Sequence, residues 1–316
     1  MPGTGQGSIR IFRIAGITVF LHWTWFLFAI FEVNARAGSY SSLVWNVLEY
    51  LSLFLIVTLH EFGHALACRQ VGGRANQIVL WPLGGVAYVD PPPRPGATLW
   101  SIAAGPLVNV ALLPILLSVL ILGRYLGWPA TAPDVYRLVR AVCIIDAVLL
   151  VFNMLPVYPL DGGQILRSVL WFAIGRARSL MVATVVGFVG VAGFLIVAFW
   201  IHSVWYGVLA IFMLLNCWGG LKHALALSRM AKLPRREGFL CPKCRTAPPV
   251  GEHWRCSRCN QAFDTFQTGA TCPYCAAQYP VTTCMDCGAA NPVSEWAGIS
   301  QNLPKQPSEV VGEVTS

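Results

Sequence analysis

Long apolar stretches alternate along this chain with short segments that hold most of its charge. Apolar runs cover residues 14–31, 43–68, 97–122, 138–155, 180–200 and 203–221, each near the roughly 20 residues a helix needs to cross hydrocarbon. Only a tight connection near His202 separates the last two, so five spans and six both fit. Residues 76–90 are too short and mixed to span. Ile78, Val79 and Leu80, then Pro82 and Gly84-Gly85, then Val86, Ala87 and Tyr88, predict a short hairpin that Pro91-Pro92-Pro93 ends. Past Pro234 the apolar runs stop. The pattern predicts an all-α polytopic membrane protein of about six transmembrane helices, with a re-entrant β-hairpin. Its membrane domain covers 1–232, a small Cys-rich module 238–290, and a polar, disordered tail 291–316.

Composition agrees. Of 316 residues, 56% are hydrophobic and 11% charged, where soluble domains carry about a quarter charged residues. Charges this sparse do not cover a water-soluble globule. The net charge of +8 is spread over short loops, which reads as cytoplasmic retention of Lys and Arg rather than as a nucleic-acid surface. With the N-terminus inside, the inside segments hold Arg10, Arg13, Arg69, Arg74, Arg94, Arg167, Arg176, Arg178 and the cluster from Lys222 to Arg236. The outside segments hold only Arg36, Arg124, Arg137 and Arg140. That bias predicts a multi-pass protein of the inner (cytoplasmic) membrane with both termini cytoplasmic.

The second run contains His60-Glu61-Phe62-Gly63-His64. On a helix, positions four apart share a face, so both imidazoles can reach one metal ion. Glu61 lies about 100° around the helix from His60, close enough to take a proton from a water activated there. Three ionisable side chains inside a lipid-spanning helix point to function by default. Zinc in a hydrolytic site takes three protein ligands and keeps one position open. Asp161 is the candidate third ligand: it follows Pro156 and Pro159 and precedes Gly162-Gly163, where the helix must break. Taken alone, it reads as the cap of the next helix, with Gln164 three residues on as in a capping box. Topology favours the ligand, because spans two and four both run outside to inside and bring all three groups to similar depth.

These residues resemble the site-2 proteases, intramembrane zinc metalloproteases of peptidase family M50. The resemblance covers roughly residues 10–230. It rests on His60 to His64, on Ala104-Gly105-Pro106-Leu107-Val108-Asn109, and on Asn153 to Gly163 with its Leu160-Asp161-Gly162 core. It implies that His60, His64 and Asp161 bind the catalytic Zn2+ and that Glu61 is the base. It also suggests Asn109 as a polar helper donating to a developing oxyanion, with a bond to a neighbouring helix as the equal alternative. The 76–90 hairpin is similar to the family's edge strand, expected to pair with an unwound substrate. Asp146, seven residues before Asn153, is a buried structural acid or a residue that tunes the site.

Eight of the eleven cysteines form four C-x-x-C pairs: Cys241/Cys244, Cys256/Cys259, Cys272/Cys275 and Cys284/Cys287. Two such pairs make one tetrahedral zinc site, so eight cysteines predict two structural Zn2+ ions in a double zinc ribbon. Sequential pairing, first with second and third with fourth, is the expected arrangement. The ions need reduced thiols, which matches a cytosolic location. Together these features predict a zinc metalloendopeptidase acting on transmembrane protein substrates in the bilayer, with the ribbons recruiting a protein partner. A non-catalytic membrane adaptor working through its ribbons is the alternative.

Overall fold

The computed structural model describes residues 7–36, 38–81, 84–202 and 204–296, in two units that part after Ala231. In the first unit, the first apolar run is not one helix. It holds strand β1 (Ser8–Ile14), strand β2 (Ile17–His22) and helix α1 (Thr24–Ala35). The reason is local. Ala15 and Gly16 both take positive φ, 49° and 74°, the two-residue turn that closes a hairpin. β-Branched Ile14, Ile17, Thr18 and Val19 flank it and favour the pleated form. The 12 residues of α1 rise about 18 Å, short of the roughly 30 Å of hydrocarbon.

Helix α2 (Leu43–Gln70) follows, then β3 (Arg74–Trp81) and β4 (Gly84–Asp90). The hairpin expected over 76–90 is therefore present, as half of a four-stranded sheet ordered β1-β2-β3-β4. The expectation of an all-α unit is corrected by this sheet. Next come α3 (Pro95–Tyr125), the one-turn α4 (Trp128–Thr131), α5 (Pro133–Asn153), α6 (Asp161–Ile174), α7 (Arg176–Trp200) and α8 (Val204–Ala231). Among the described residues, four helices are long and apolar enough to cross a membrane: α2, α3, α7 and the Gly207–Ala231 part of α8. The expected fourth span, α5, carries Asp134, Arg137, Arg140 and Asp146. Leu51 and Leu55 on α2, Ile115 and Leu122 on α3, Val185 and Val189 on α7, and Ile211 and Leu215 on α8 all face outward. Apolar area on that scale belongs against lipid, and the chain is a multi-pass membrane protein.

The sheet places α2. Strands β2 and β3 are parallel, with Thr18 opposite Gln77 and Leu21 opposite Leu80, and parallel neighbours need a long crossover. Helices α1 and α2 form it, which lays the second half of α2 on the sheet. Val57, Ala65 and Cys68 are buried there with Ile17, Val19, Ala75, Ile78 and Leu80. Arg69 secures the end of α2: its Nε donates to the Ala75 carbonyl at 2.8 Å, and its terminal nitrogens donate to the carbonyls of Ala15 and Gly16. On another side α2 meets α3 closely. A Cβ at Gly63 would lie 2.6 Å from the Ala104 carbonyl oxygen and 2.9 Å from Val108 Cγ2.

The second unit is built on four repeats of one turn. In each, the first cysteine's N–H donates to the carbonyl five residues on: Cys241 to Thr246, Cys256 to Gln261, Cys272 to Ala277 and Cys284 to Ala289, at 2.8–3.0 Å. The residue after each second cysteine has positive φ: Arg245, Asn260, Ala276 and Gly288. Strands β5 (Trp254–Arg255) and β6 (Ala262–Phe263) carry the second turn, and β7 (Val281–Thr283) and β8 (Ala290–Pro292) the fourth. Pairing is nested, which corrects the sequential expectation: Cys241, Cys244, Cys284 and Cys287 form one cluster, and Cys256, Cys259, Cys272 and Cys275 the other. Asp264 explains the inner cluster. Its carboxylate accepts the N–H groups of Phe266 and Gln267, turning the short 260–271 segment so that the third pair folds back onto the second. The outer pairs close around Phe266 and Trp296.

This unit is wider than 238–290. Arg235 pairs with Asp286 at 2.7 Å, Arg236 pairs with Asp264 at 2.6 Å, and Trp296 is 1% exposed. Residues 297–316 of the expected tail lie outside the described residues.

Two measurements check these contacts. Gly63→Ala should destabilise the membrane unit by about 1–3 kcal/mol through overpacking against α3, read by unfolding in detergent. Zinc bound per chain separates the pairings. When nested, Cys241→Ser with Cys256→Ser removes both ribbon ions, whereas Cys241→Ser with Cys284→Ser removes one; sequential pairing reverses the two results.

Candidate metal centre

One turn of α2 presents His60 and His64 on the same face, their rings edge to face with centroids 4.7 Å apart. Both are buried, as is Glu61 between them. The Nε2 atoms lie 3.1 Å from each other. Asp161 Oδ2 lies 3.0 Å from His60 Nε2 and 3.4 Å from His64 Nε2. The three residues expected to share an ion therefore meet. Asp161 reaches them because the chain leaves helical geometry after α5 and re-enters it at Asp161 itself. It does not cap α6: no side-chain capping bond forms there, and Gln164 Nε2 donates instead to the Pro159 carbonyl at 2.9 Å. Gly162 and Gly163 allow this bend. A Cβ at either would strike the backbone of Met154–Leu155 or of Val157–Tyr158.

The hydrogen bonds behind the two rings decide what the front can do. His64 Nδ1 faces the Ser101 carbonyl at 2.9 Å. A carbonyl only accepts, so Nδ1 carries the hydrogen and Nε2 a lone pair. His60 Nδ1 faces Asn109 Oδ1 at 2.6 Å, and Asn109 Nδ2 donates to Asp146 Oδ1 at 2.7 Å. His60 is thereby also an Nδ1–H donor with its Nε2 lone pair facing forward. Two lone pairs and a carboxylate oxygen then point at one another in a buried space, an arrangement that suits a cation. Their separations match the edge of about 3.3 Å that a tetrahedral zinc site with N and O ligands has. Gly105 keeps the approach open, since a Cβ there would collide with both ring nitrogens.

Asn109 is fully buried behind the His60 ring, on the side away from Nε2. That placement matches the helix-bonding alternative, not an oxyanion donor. Sequence reasoning missed the Ser101 carbonyl, and also the Ala87 N–H, which donates to Glu61 Oε2 at 2.8 Å. Both are backbone groups, which side-chain identity does not reveal. Gly85 packs so tightly on Glu61 that a Cβ would overlap its carboxylate. The Gly84-Gly85 pair was the available signal for this close approach.

The cysteine clusters fit zinc on the same test. Sγ atoms lie 3.7 Å apart for Cys241–Cys287, Cys244–Cys284 and Cys259–Cys272, and 3.5 Å apart for Cys256–Cys275. A tetrahedral thiolate site has edges of about 3.8 Å.

Comparison with known proteins agrees with this geometry. The model of the family described as Peptidase family M50 matches residues 49–127 and 128–197. Those segments include His60, Glu61, His64, Asn109, Asp146 and Asp161, and stop ahead of the cysteine unit. A zinc metalloprotease of Methanocaldococcus jannaschii is 34% identical over 57% of this chain and 50% of its own length. Rip3 of Mycobacterium tuberculosis is 30% identical over 60% of this chain and 52% of its own. The chain thus spans about half the length of the curated relatives it matches. Among solved structures, the site-2 protease from M. jannaschii aligns with a TM-score of 0.50 at 29% identity, over 68% of this chain and 95% of that one. The geometry of the site, the family match and the shared fold agree, and residues 49–197 of this chain carry the likeness to peptidase family M50.

Proposed function

We propose that this protein is an intramembrane zinc metalloendopeptidase of the site-2 protease type, cleaving peptide bonds in or beside transmembrane segments. The observation that carries the reading is the convergence of two imidazole lone pairs and the Asp161 carboxylate at 3.0–3.4 Å. His60, His64 and Asp161 hold the ion. When bound there, a divalent cation would supply the charge that acidifies a water and polarises the scissile carbonyl. Glu61 is the general base. The Ala87 N–H anchors its Oε2, so Oε1 is left to take a proton from the attacking water and return it to the leaving amine. Asn109 serves this centre by positioning the His60 ring.

Strand β4 is an edge of the sheet and lies along α2 beside Glu61. A transmembrane helix conceals its amides, so a substrate must unwind before attack, and an open strand edge can hold it extended. Substrates are therefore membrane proteins with a helix that unwinds readily. The cysteine unit holds two structural zinc ions and recruits substrate or regulates the protease. Both termini are cytosolic, on the Lys and Arg distribution and the need of eight thiolates for a reducing compartment.

Glu61→Gln is the test. The variant should bind about three zinc ions per chain, as the parent does, and lose cleavage of a membrane-embedded substrate by about 100- to 10,000-fold. Full cleavage by the variant would refute the base assignment. A parent that holds only about two ions, both in the cysteine unit, would favour the non-catalytic adaptor.

A further inference from the structure

The two histidines are oriented by different means. Behind His64 stands a backbone carbonyl, which can only accept. Behind His60 stands the Asn109 amide, which can present either oxygen or nitrogen. If nitrogen faced the ring, His60 would carry its hydrogen on Nε2 and offer no lone pair to an ion. Something must fix the amide. Asp146 on α5 is placed to do so: it is fully buried, its Oδ1 accepts from Asn109 Nδ2 at 2.7 Å, and its Oδ2 has no hydrogen-bond partner among the described residues. A carboxyl oxygen that bears no hydrogen accepts only, so Oδ1 selects one amide orientation, and the amide then selects one ring tautomer. Burying a carboxylate with one oxygen unpaired is costly. A purely structural link between α3 and α5 does not call for it.

We propose that Asp146 is a positioning residue of the metal centre, which acts through Asn109 to hold His60 in the Nδ1–H form and so presents the Nε2 lone pair to the ion. This rests on the metal-site reading above and adds to it a residue that touches neither ion nor substrate. Partners of this kind behind a ligating histidine typically change metal affinity by about 10- to 100-fold.

The experiment uses the full chain in detergent, its cysteine clusters filled with zinc. ¹⁵N-histidine spectra are recorded in buffer alkaline enough to keep both rings neutral, before cobalt(II) is titrated into the remaining site. The parent should show His60 as the Nδ1–H tautomer. Asp146→Asn can donate or accept, so His60 should become a mixture of tautomers and cobalt affinity should fall about 10- to 100-fold. The exchanged pair, Asn109→Asp with Asp146→Asn, again places a carboxylate behind the ring and an amide behind that. It should restore the Nδ1–H form and bring affinity to within about threefold of the parent. His64, held by Ser101, is the internal control and should keep its tautomer throughout, which also reports that each variant is folded. Parental affinity and a single His60 tautomer in Asp146→Asn would overturn the inference while leaving the metal site standing. So would failure of the exchanged pair to recover either property with His64 unchanged. A parent that takes up no cobalt at this site would overturn the metal-site reading, and this inference with it.

Discussion

Three hydrogen-bond acceptors held face to face inside a lipid-embedded core repel one another unless positive charge lies between them. With Nδ1–H engaged behind each ring, the Nε2 atoms of His60 and His64 and the Oδ2 of Asp161 form such a trio. Much of the surrounding structure exists to hold it. The α2–α3 approach brings the Ser101 carbonyl and Asn109 behind the rings. The break between α5 and α6 brings Asp161 in front of them. Glycines at 105, 162 and 163 leave room where any side chain would intrude.

The N-terminal sheet belongs to the same design. A parallel pair of strands joined through α1 and α2 fixes where the second half of α2 sits, and Arg69 ties its last turn to the β1–β2 turn and to β3. The antiparallel continuation into β4 then delivers a backbone N–H to Glu61 and leaves a strand edge beside the centre. A fifth long helix in place of β1, β2 and α1 could bury apolar area equally well. It would offer neither contact.

The cysteine unit follows separate physics. Its apolar core is small, centred on Phe266 and Trp296, and four near-identical turns carry the thiolates. In so small a unit, metal held by these clusters would supply a large part of the folding free energy. The nested arrangement makes residues near both ends, Arg235 through Asp286 and Trp296 through the apolar core, part of one fold.

The chemistry of the centre was legible along the chain because its residue types are costly where they lie. His60, Glu61, His64, Asp146 and Asn109 stand out as polar groups within apolar runs, and i, i+4 spacing puts both histidines on one face whatever the surroundings. The β3–β4 hairpin was legible too, from its glycines and prolines. The first apolar run was not, because a lipid-spanning helix and a buried strand pair are equally apolar, and a two-residue turn at Ala15-Gly16 weighs little against that. Sequence alone thus singled out the candidate side chains for binding and activation. Only tertiary structure decided that the Asp161 carboxylate meets the two histidines rather than capping α6, that Asn109 stands behind the His60 ring, and that the first cysteine pair meets the fourth. Each of those depends on groups far apart in the chain, several of them backbone atoms whose direction no residue type encodes.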